Sequence, residues 1–380
     1  MNTVLTEEER ALQMIYKEYA DERIRPHTLE IDKGLFSVEP LLKEMHELGF
    51  CGIVIPKEYG GLGSSYVHYV LAVEELSKAS GPVAKSVSGQ TNMCFPILHY
   101  GTEEQKRNYV IPVAKGEKIL VFALTEPGAG SDAGGTLTSA VQAGDEFILN
   151  GRKTFISGAP FADYAVVYAK TDPSQKGSKG ISMFLVDMKL PGVSCGKPEH
   201  KMGIVGYPTS DIILEDVHVH KSDLLGPLHK GFSTAMKTLD GGRLGMAAQA
   251  VGIAQGCLDA SVKYAKERKQ FGKPIAKFQA ISFMLADMAT EIEAARQLVY
   301  STAVRKDAGD PESAKLCAMS KLYAAEMCNR AAYKAVQIHG GYGYIKEYKV
   351  ERFYRDARIT SIYEGTSQVQ QMVISGSLLK

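Results

Sequence analysis

Tryptophan is absent from the 380 residues, so an aromatic face offered to a flat ligand has to come from another ring. An excess of charge of one sign is missing as well. The 44 basic and 43 acidic side chains leave a formal net charge of +1, which gives no field to gather nucleic acid or an anionic membrane, so an anionic ligand must be met by local groups. No run approaches the roughly 20 apolar residues of a membrane span. The six cysteines, Cys51, Cys94, Cys195, Cys257, Cys317 and Cys328, contain no C-x-x-C pair, which argues against a zinc site and a disulfide framework and fits a reducing compartment. Met1 to Arg10 is acidic without an apolar core, so neither a signal nor a transit peptide is expected there, and the expected location is cytoplasmic. A Gly-x-Ser-x-Gly elbow is missing too, which leaves a hydrolase unsupported.

What is present divides into three textures. Up to about residue 117, helical spacing dominates. Thr6-Glu7-Glu8-Glu9 is a capping box ahead of Leu12, Ile15, Tyr16 and Tyr19, and Pro26 is expected to stop that run. Pro40 to Gly49, Tyr66 to Ser80 and Val83 to Tyr100 read as further helices, and Thr102 to Gln105 caps a fifth. From Lys118 short β-rich runs follow, Ile119–Leu124, Thr138–Val141, Glu146–Gly151, Tyr164–Ala169 and Ile181–Val186, separated by turns such as Asn150-Gly151 and Lys179-Gly180. Strands without intervening helices predict an antiparallel barrel or sandwich ending near Val219. Helical spacing then returns near 231–268, 276–307 and 311–338, the last opening on Asp310 as N-cap with Pro311 behind it. The expected domains are 1–117, 118–222 and 223–380, an α+β chain with no repeat or low-complexity linker.

The stretch from Val336 to Gln371 carries the densest chemistry. Glu364 stands between Tyr363 and Gly365. Shielded from water by such neighbours, a carboxylate becomes a stronger base, suited to carbon acids, although an arbitrary loop glutamate is solvated. Upstream, Gly340-Gly341-Tyr342-Gly343 lets a flat ligand or a phosphate approach the backbone, or else only breaks a helix.

Other motifs read more plainly. Gly128-x-Gly130-x-x-Ala133 formally matches a dinucleotide fingerprint, but turn and strand follow it where a Rossmann site needs a helix. Phe155, on a strand, is a core residue on pattern alone. Arg268, in a basic run, reads as a solvated helix end, though a guanidinium there also suits a pyrophosphate. His218 and His220 alternate on a strand with no third ligand in view, so solvated residues are expected and no metal.

Three ordered segments resemble the acyl-CoA dehydrogenase family: Leu124 to Asp132, Glu267 to Gly272, and the tail segment with Gln337-Ile338-His339-Gly340-Gly341-Tyr342-Gly343-Tyr344, Arg355-Asp356-Ala357-Arg358-Ile359 and Ile362-Tyr363-Glu364-Gly365-Thr366. The resemblance spans essentially the whole chain. It implies an N-terminal helical domain, a middle antiparallel β domain and a C-terminal four-helix bundle. It further implies FAD, with Leu124, Thr125, Phe155 and Ser157 against the flavin, and Thr366 and Gln368 also on the cofactor. Arg268, Phe271, Gln337, Gly340 and Gly341 would reach the FAD of a neighbouring subunit, so a homo-oligomer, a tetramer built as a dimer of dimers, is implied. Many relatives carry tryptophan where this chain has Phe155, an exchange that keeps a π-face.

On the substrate side the resemblance places Ser131, Asp240 and Arg243 near CoA, Gln90 and Thr91 in the acyl cavity, and Tyr363 and Gly365 also on the substrate. Glu364 would take the α-proton while hydride passes to flavin N5, and an electron-transferring flavoprotein would take the electrons. Some relatives place the base immediately before the arginine of Asp240-Gly241-Gly242-Arg243; Gly242 cannot act, which leaves Glu364. The wording is closest to short-chain, butyryl-CoA members, yet polar Gln90 and Thr91 depart from their usual text. A branched or alicyclic acyl group, operation as an enoyl-CoA reductase, a flavin oxidase and a catalytically silent acyl-CoA-binding scaffold stay open as alternatives.

Overall fold

The computed structural model describes residues 5–379. The capping box at Thr6 forms as expected, its hydroxyl accepting from the Glu9 amide and Glu9 reaching back, and starts α1 (Glu7–Tyr19). Pro26 does not end the run. The chain continues through a π turn and a 3-10 turn, with Pro26 in the 3-10 turn's first positions where no amide partner is needed, into α2 (Thr28–Asp32). There follow α3 (Glu39–Glu47), α4 (Tyr66–Ala79), α5 (Gly81–Met93), α6 (Phe95–Tyr100), α7 (Glu103–Gln105) and α8 (Ile111–Ala114). The single helix expected over Val83 to Tyr100 is therefore two, broken at Cys94 just ahead of Pro96.

The middle of the chain forms one eight-stranded sheet: β1 (Leu120–Ala123), β2 (Ser139–Ala143), β3 (Glu146–Ser157), β4 (Tyr164–Lys170), β5 (Ile181–Asp187), β6 (Val193–Cys195), β7 (Thr209–His220) and β8 (Leu224–Leu225). Its order is β6-β7-β3-β2-β4-β5-β8, with β1 on β4. Pairing is antiparallel except that β1 and β2 each run parallel to β4. Asn150-Gly151 is not a turn. It lies inside β3 at a register shift against β7, where a Cβ on Gly151 would collide with Thr138, and the β2–β3 reversal is made at Gly144 instead.

The C-terminal part holds α9 (Gly231–Glu267), a two-residue hairpin β9 (Lys269–Gln270) and β10 (Lys273–Pro274), α10 (Gln279–Asp307), α11 (Ser313–His339), α12 (Lys349–Arg358) and α13 (Ser367–Leu378). Asp310 accepts from the Glu312 amide and pairs with Arg305, so α11 opens two residues later than the Asp-Pro signal predicts. One apolar core joins α4 and α5 to α9, α10 and α11; two others cover the faces of the sheet. The Arg355-Asp356 pair ties the parts together: Arg355 bonds Asp32 and Glu351, and Asp356 accepts from the Ile204 amide. No helix among the described residues is long and apolar enough to cross a membrane.

Candidate active site

Glu364 lies in the connection between α12 and α13 with a φ of 51°, followed by Gly365 at 91°. A left-handed glutamate is uncommon and is held only where its surroundings over-determine it. Here they do. Gln370 on α13 donates to the carbonyls of both residues at 3.2 and 2.8 Å, Lys321 on α11 donates to the Gly365 carbonyl at 2.7 Å, and Thr366 caps α13 by accepting from the Val369 amide. Tyr363, just before, donates its hydroxyl to Gln249 on α9. This clamp aims the carboxylate inward, at the helix pair α5 and α9.

What the carboxylate meets is specific. Its Oε2 is buried without a hydrogen-bond partner, and a Cβ on Gly242 would overlap it. Its Oε1 is 2.6 Å from the ammonium of Lys85 on α5, with the two side chains 13% and 8% exposed. The ammonium also lies 5.2 Å from the Tyr363 ring and 3.9 Å from Met246 Sδ. Lys85 and Lys321 were both missed by the sequence reading. A lysine in an apolar helix carries no motif, and nothing local announces that residues so far apart in the chain converge on Glu364.

One turn after Lys85, Gly89 is buried, yet a Cβ there would have nothing within 4 Å. Asn92, a further turn on, bonds Tyr69 and stands 3.1 Å from a Cβ built on Gly241. The face Lys85-Gly89-Asn92 thus turns toward α9, Lys85 meeting Glu364 and Asn92 standing against Gly241. Gln90 and Thr91 do not join it with their polar groups. Gln90 exchanges two hydrogen bonds with the Leu120 backbone and Thr91 donates to the Cys51 carbonyl, so both fasten the fold. Arg243 and Asp240 pair at 2.5 Å on α9; burial pushes the Asp240 carboxyl up while Arg243 pulls it back. Arg243 keeps a buried Nε without a partner.

A second group of residues stands on the sheet. Phe155, read as core on pattern, is 66% exposed with a φ of 56°, because β3 bulges there and turns the ring outward. Leu124 is buried, its carbonyl and that of Thr125 taken by Lys153 and the Thr154 amide. Ser157 lies 3.4 Å from the Thr209 hydroxyl. The Leu124 to Asp132 loop is organised by Glu126, which accepts from Lys153, Thr136, Leu137 and Thr138. Burial opposes its charge, but Lys153 and these donors hold the carboxyl below the usual range. Ser131 is exposed on that loop.

A third group meets at the far end of the bundle. Arg268, Gly340, Gly341, Tyr264, His339 and Tyr342 line a cavity of about 510 Å³, the Arg268 guanidinium 5.2 Å from the Tyr342 ring. Neither glycine would find an obstacle within 4 Å of an added Cβ. Phe271, 92% exposed, and Gln337 and Gln368, both exposed, are not among its lining residues. His218 pairs with Glu146, and no group of three or more candidate metal ligands occurs among the described residues.

These positions can be set beside known proteins. The family described as acyl-CoA dehydrogenase, N-terminal domain, matches residues 6–117, its middle domain residues 121–217 and its C-terminal domain residues 229–379. The chain belongs to the acyl-CoA dehydrogenase family. It is an oxidoreductase acting on a CH–CH group. It is 55% identical to the 3-(aryl)acrylate reductase of Clostridium sporogenes, with 99% of each chain covered. To subunit CarC of the caffeyl-CoA reductase–Etf complex of Acetobacterium woodii it is likewise 55% identical, again over 99% of each. The butyryl-CoA dehydrogenase structure from Megasphaera elsdenii superposes with a TM-score of 0.97 at 44% identity, over 100% of both chains.

Proposed function

We propose that this dehydrogenase-family member interconverts an acyl-CoA thioester and its 2-enoyl-CoA with FAD, Glu364 exchanging the α-proton. The observation that carries this is the Glu364 carboxylate itself, turned inward with one buried oxygen bonded to no protein group. A buried acceptor without a partner is rare unless a ligand completes it. When bound, the flavin accepts or supplies the hydride at the β-carbon.

The residues present fit such a cofactor. Phe155 offers a flat exposed ring beside Leu124, Thr125 and Ser157, and the Arg268 cavity offers a guanidinium and bare backbone suited to a pyrophosphate. Thr366 and Gln368 border the Glu364 loop and belong to the same reading. Because the cavity's lining includes none of the sheet residues, we assign it to the FAD of a second copy in a homotetramer. Exposed Phe271, Phe283, Tyr333 and Met372 supply apolar surface for that assembly. Arg243, with its free Nε, and Ser131 serve the CoA portion.

For substrate and direction, the space at Gly89 matters. We assign that space to a planar ring on the β-carbon, which a short linear acyl chain, the first reading of the sequence, would not fill. The names of the two 55% relatives agree. Reduction of a ring-bearing 2-enoyl-CoA, with electrons from an electron-transferring flavoprotein, is therefore the proposed physiological reaction. Anaerobic mixing of the reduced holoenzyme with crotonyl-CoA and cinnamoyl-CoA, following return of the oxidised flavin spectrum, tests it. Faster reoxidation by the aryl thioester is expected. Equal or preferred reoxidation by crotonyl-CoA restores the short-chain reading, and no reoxidation by either overturns the reductase.

A further inference from the structure

Lys85 is a buried cation on α5 whose ion-pair partner, among the described residues, is Glu364. The other charged or titratable groups around that carboxylate are otherwise engaged: Lys321 on α11 bonds the Gly365 carbonyl, Arg243 on α9 pairs with Asp240, Tyr69 on α4 accepts from Asn92, and Tyr363 donates to Gln249. Among the described residues no other ammonium approaches the carboxylate oxygens within ion-pair distance, although Lys321 feels the Glu364 charge from farther away.

An ammonium in contact with a carboxylate in a largely dry site favours the ionised form over the protonated one. In proton exchange at a carbon, Glu364 is ionised on the saturated acyl side and protonated on the enoyl side. The two sides are therefore not treated equally.

We propose that Lys85 is a positioning residue that biases the on-enzyme equilibrium toward the saturated thioester, by stabilising the carboxylate Glu364 becomes once its proton has gone to the α-carbon. This rests on the reading of Glu364 as the proton-exchanging group. The step balances. The Glu364 O–H bond breaks and a C–H bond forms at the α-carbon, the C=C π pair supplying its electrons. Hydride arrives at the β-carbon from a two-electron donor, a reduced flavin recharged by an electron-transferring flavoprotein, and Glu364 is left as the partner of Lys85. In the opposite direction the same ion pair must be given up as the proton arrives. Overall substrate equilibrium in solution is unaffected; only the ratio of bound species shifts.

The test compares wild-type holoenzyme with Lys85→Met, Lys85→Arg and the double variant Lys85→Met/Glu364→Gln. The first readout is the equilibrium fraction of flavin bleached by saturating acyl-CoA, measured anaerobically between pH 6 and 9. In Lys85→Met the ratio of bound enoyl to bound acyl species should rise about 10-fold or more wherever Glu364 keeps the transferred proton, the size expected of a charged hydrogen bond. Lys85→Arg should stay close to wild type, and removing Lys85 should have no effect on thioester affinity once Glu364 is Gln. Equal slowing of both directions with an unchanged bleached fraction overturns the proposal, as does Lys85→Arg behaving like Lys85→Met. Bleaching of a flavin-replete Glu364→Gln holoenzyme at the wild-type rate would instead overturn the assignment of Glu364, and with it this inference.

Discussion

The carboxylate of Glu364 occupies the place a side chain on Gly242 would take, although 122 positions separate them. One site therefore cannot hold a side chain from both. Gly242→Ala should displace Glu364, lower turnover and destabilise the fold by about 1–3 kcal/mol through overpacking. In a Glu364→Ala background the same change should cost almost nothing. Melting curves of the two singles and the double measure the coupling.

Gly89 separates the ring reading from the short-chain one. Gly89→Leu fills open space on a helix and replaces a poor helix former, so thermal stability should hold or rise. Its kcat/KM for a cinnamoyl thioester should drop by roughly 10-fold or more, the worth of several methylene volumes in a pocket, while crotonyl-CoA is little affected. A loss equal for both thioesters would place the space elsewhere than in the acyl site.

Arg268 supplies the charge of the bundle-end cavity. Arg268→Ala should weaken FAD retention by roughly 10- to 100-fold, the worth of a charged hydrogen bond, without unfolding the bundle. Flavin absorbance per protein after gel filtration, with the tetramer fraction read in the same run, checks it.

Three lysines held largely out of water each make a contribution of definite sign to the pH dependence of stability, which the buried cysteines, whose thiols burial pushes up, oppose. Burial pushes Lys153, Lys201 and Lys321 each down to about 8. Between about 8 and the ordinary value near 10.4 the unfolded chain keeps these protons while the folded one has released them, so their contribution to stability rises with pH in that window. Lys321→Met should lower the slope of stability against pH relative to wild type by at most about 1.4 kcal/mol per pH unit. Urea titrations at pH 8 and pH 10 supply the comparison.

Local chemistry made much of the fold legible. Thr6 and Glu9 announced α1, and the β-rich runs between Lys118 and Val219 announced the sheet. Where the reading slipped, tertiary context had overruled a local signal: Asn150-Gly151 became a bulge because β7 continues past it, and Phe155 faces outward because that bulged strand turns its ring. The polar text at Gln90 and Thr91 looked like pocket chemistry, but those side chains fasten β1 and Cys51. Glu364 could be singled out from its neighbours, yet Lys85 could not, since a contact across most of the chain leaves no trace in spacing.

The central claim is that Glu364 moves the proton. Glu364→Gln keeps the shape and the Gln370 clamp while removing the base, so the variant should bind FAD as wild type does. Stopped-flow mixing with acyl-CoA under anaerobic conditions should then show flavin bleaching slowed by ~10²–10⁴. Bleaching at the wild-type rate in a flavin-replete Glu364→Gln enzyme would contradict the account.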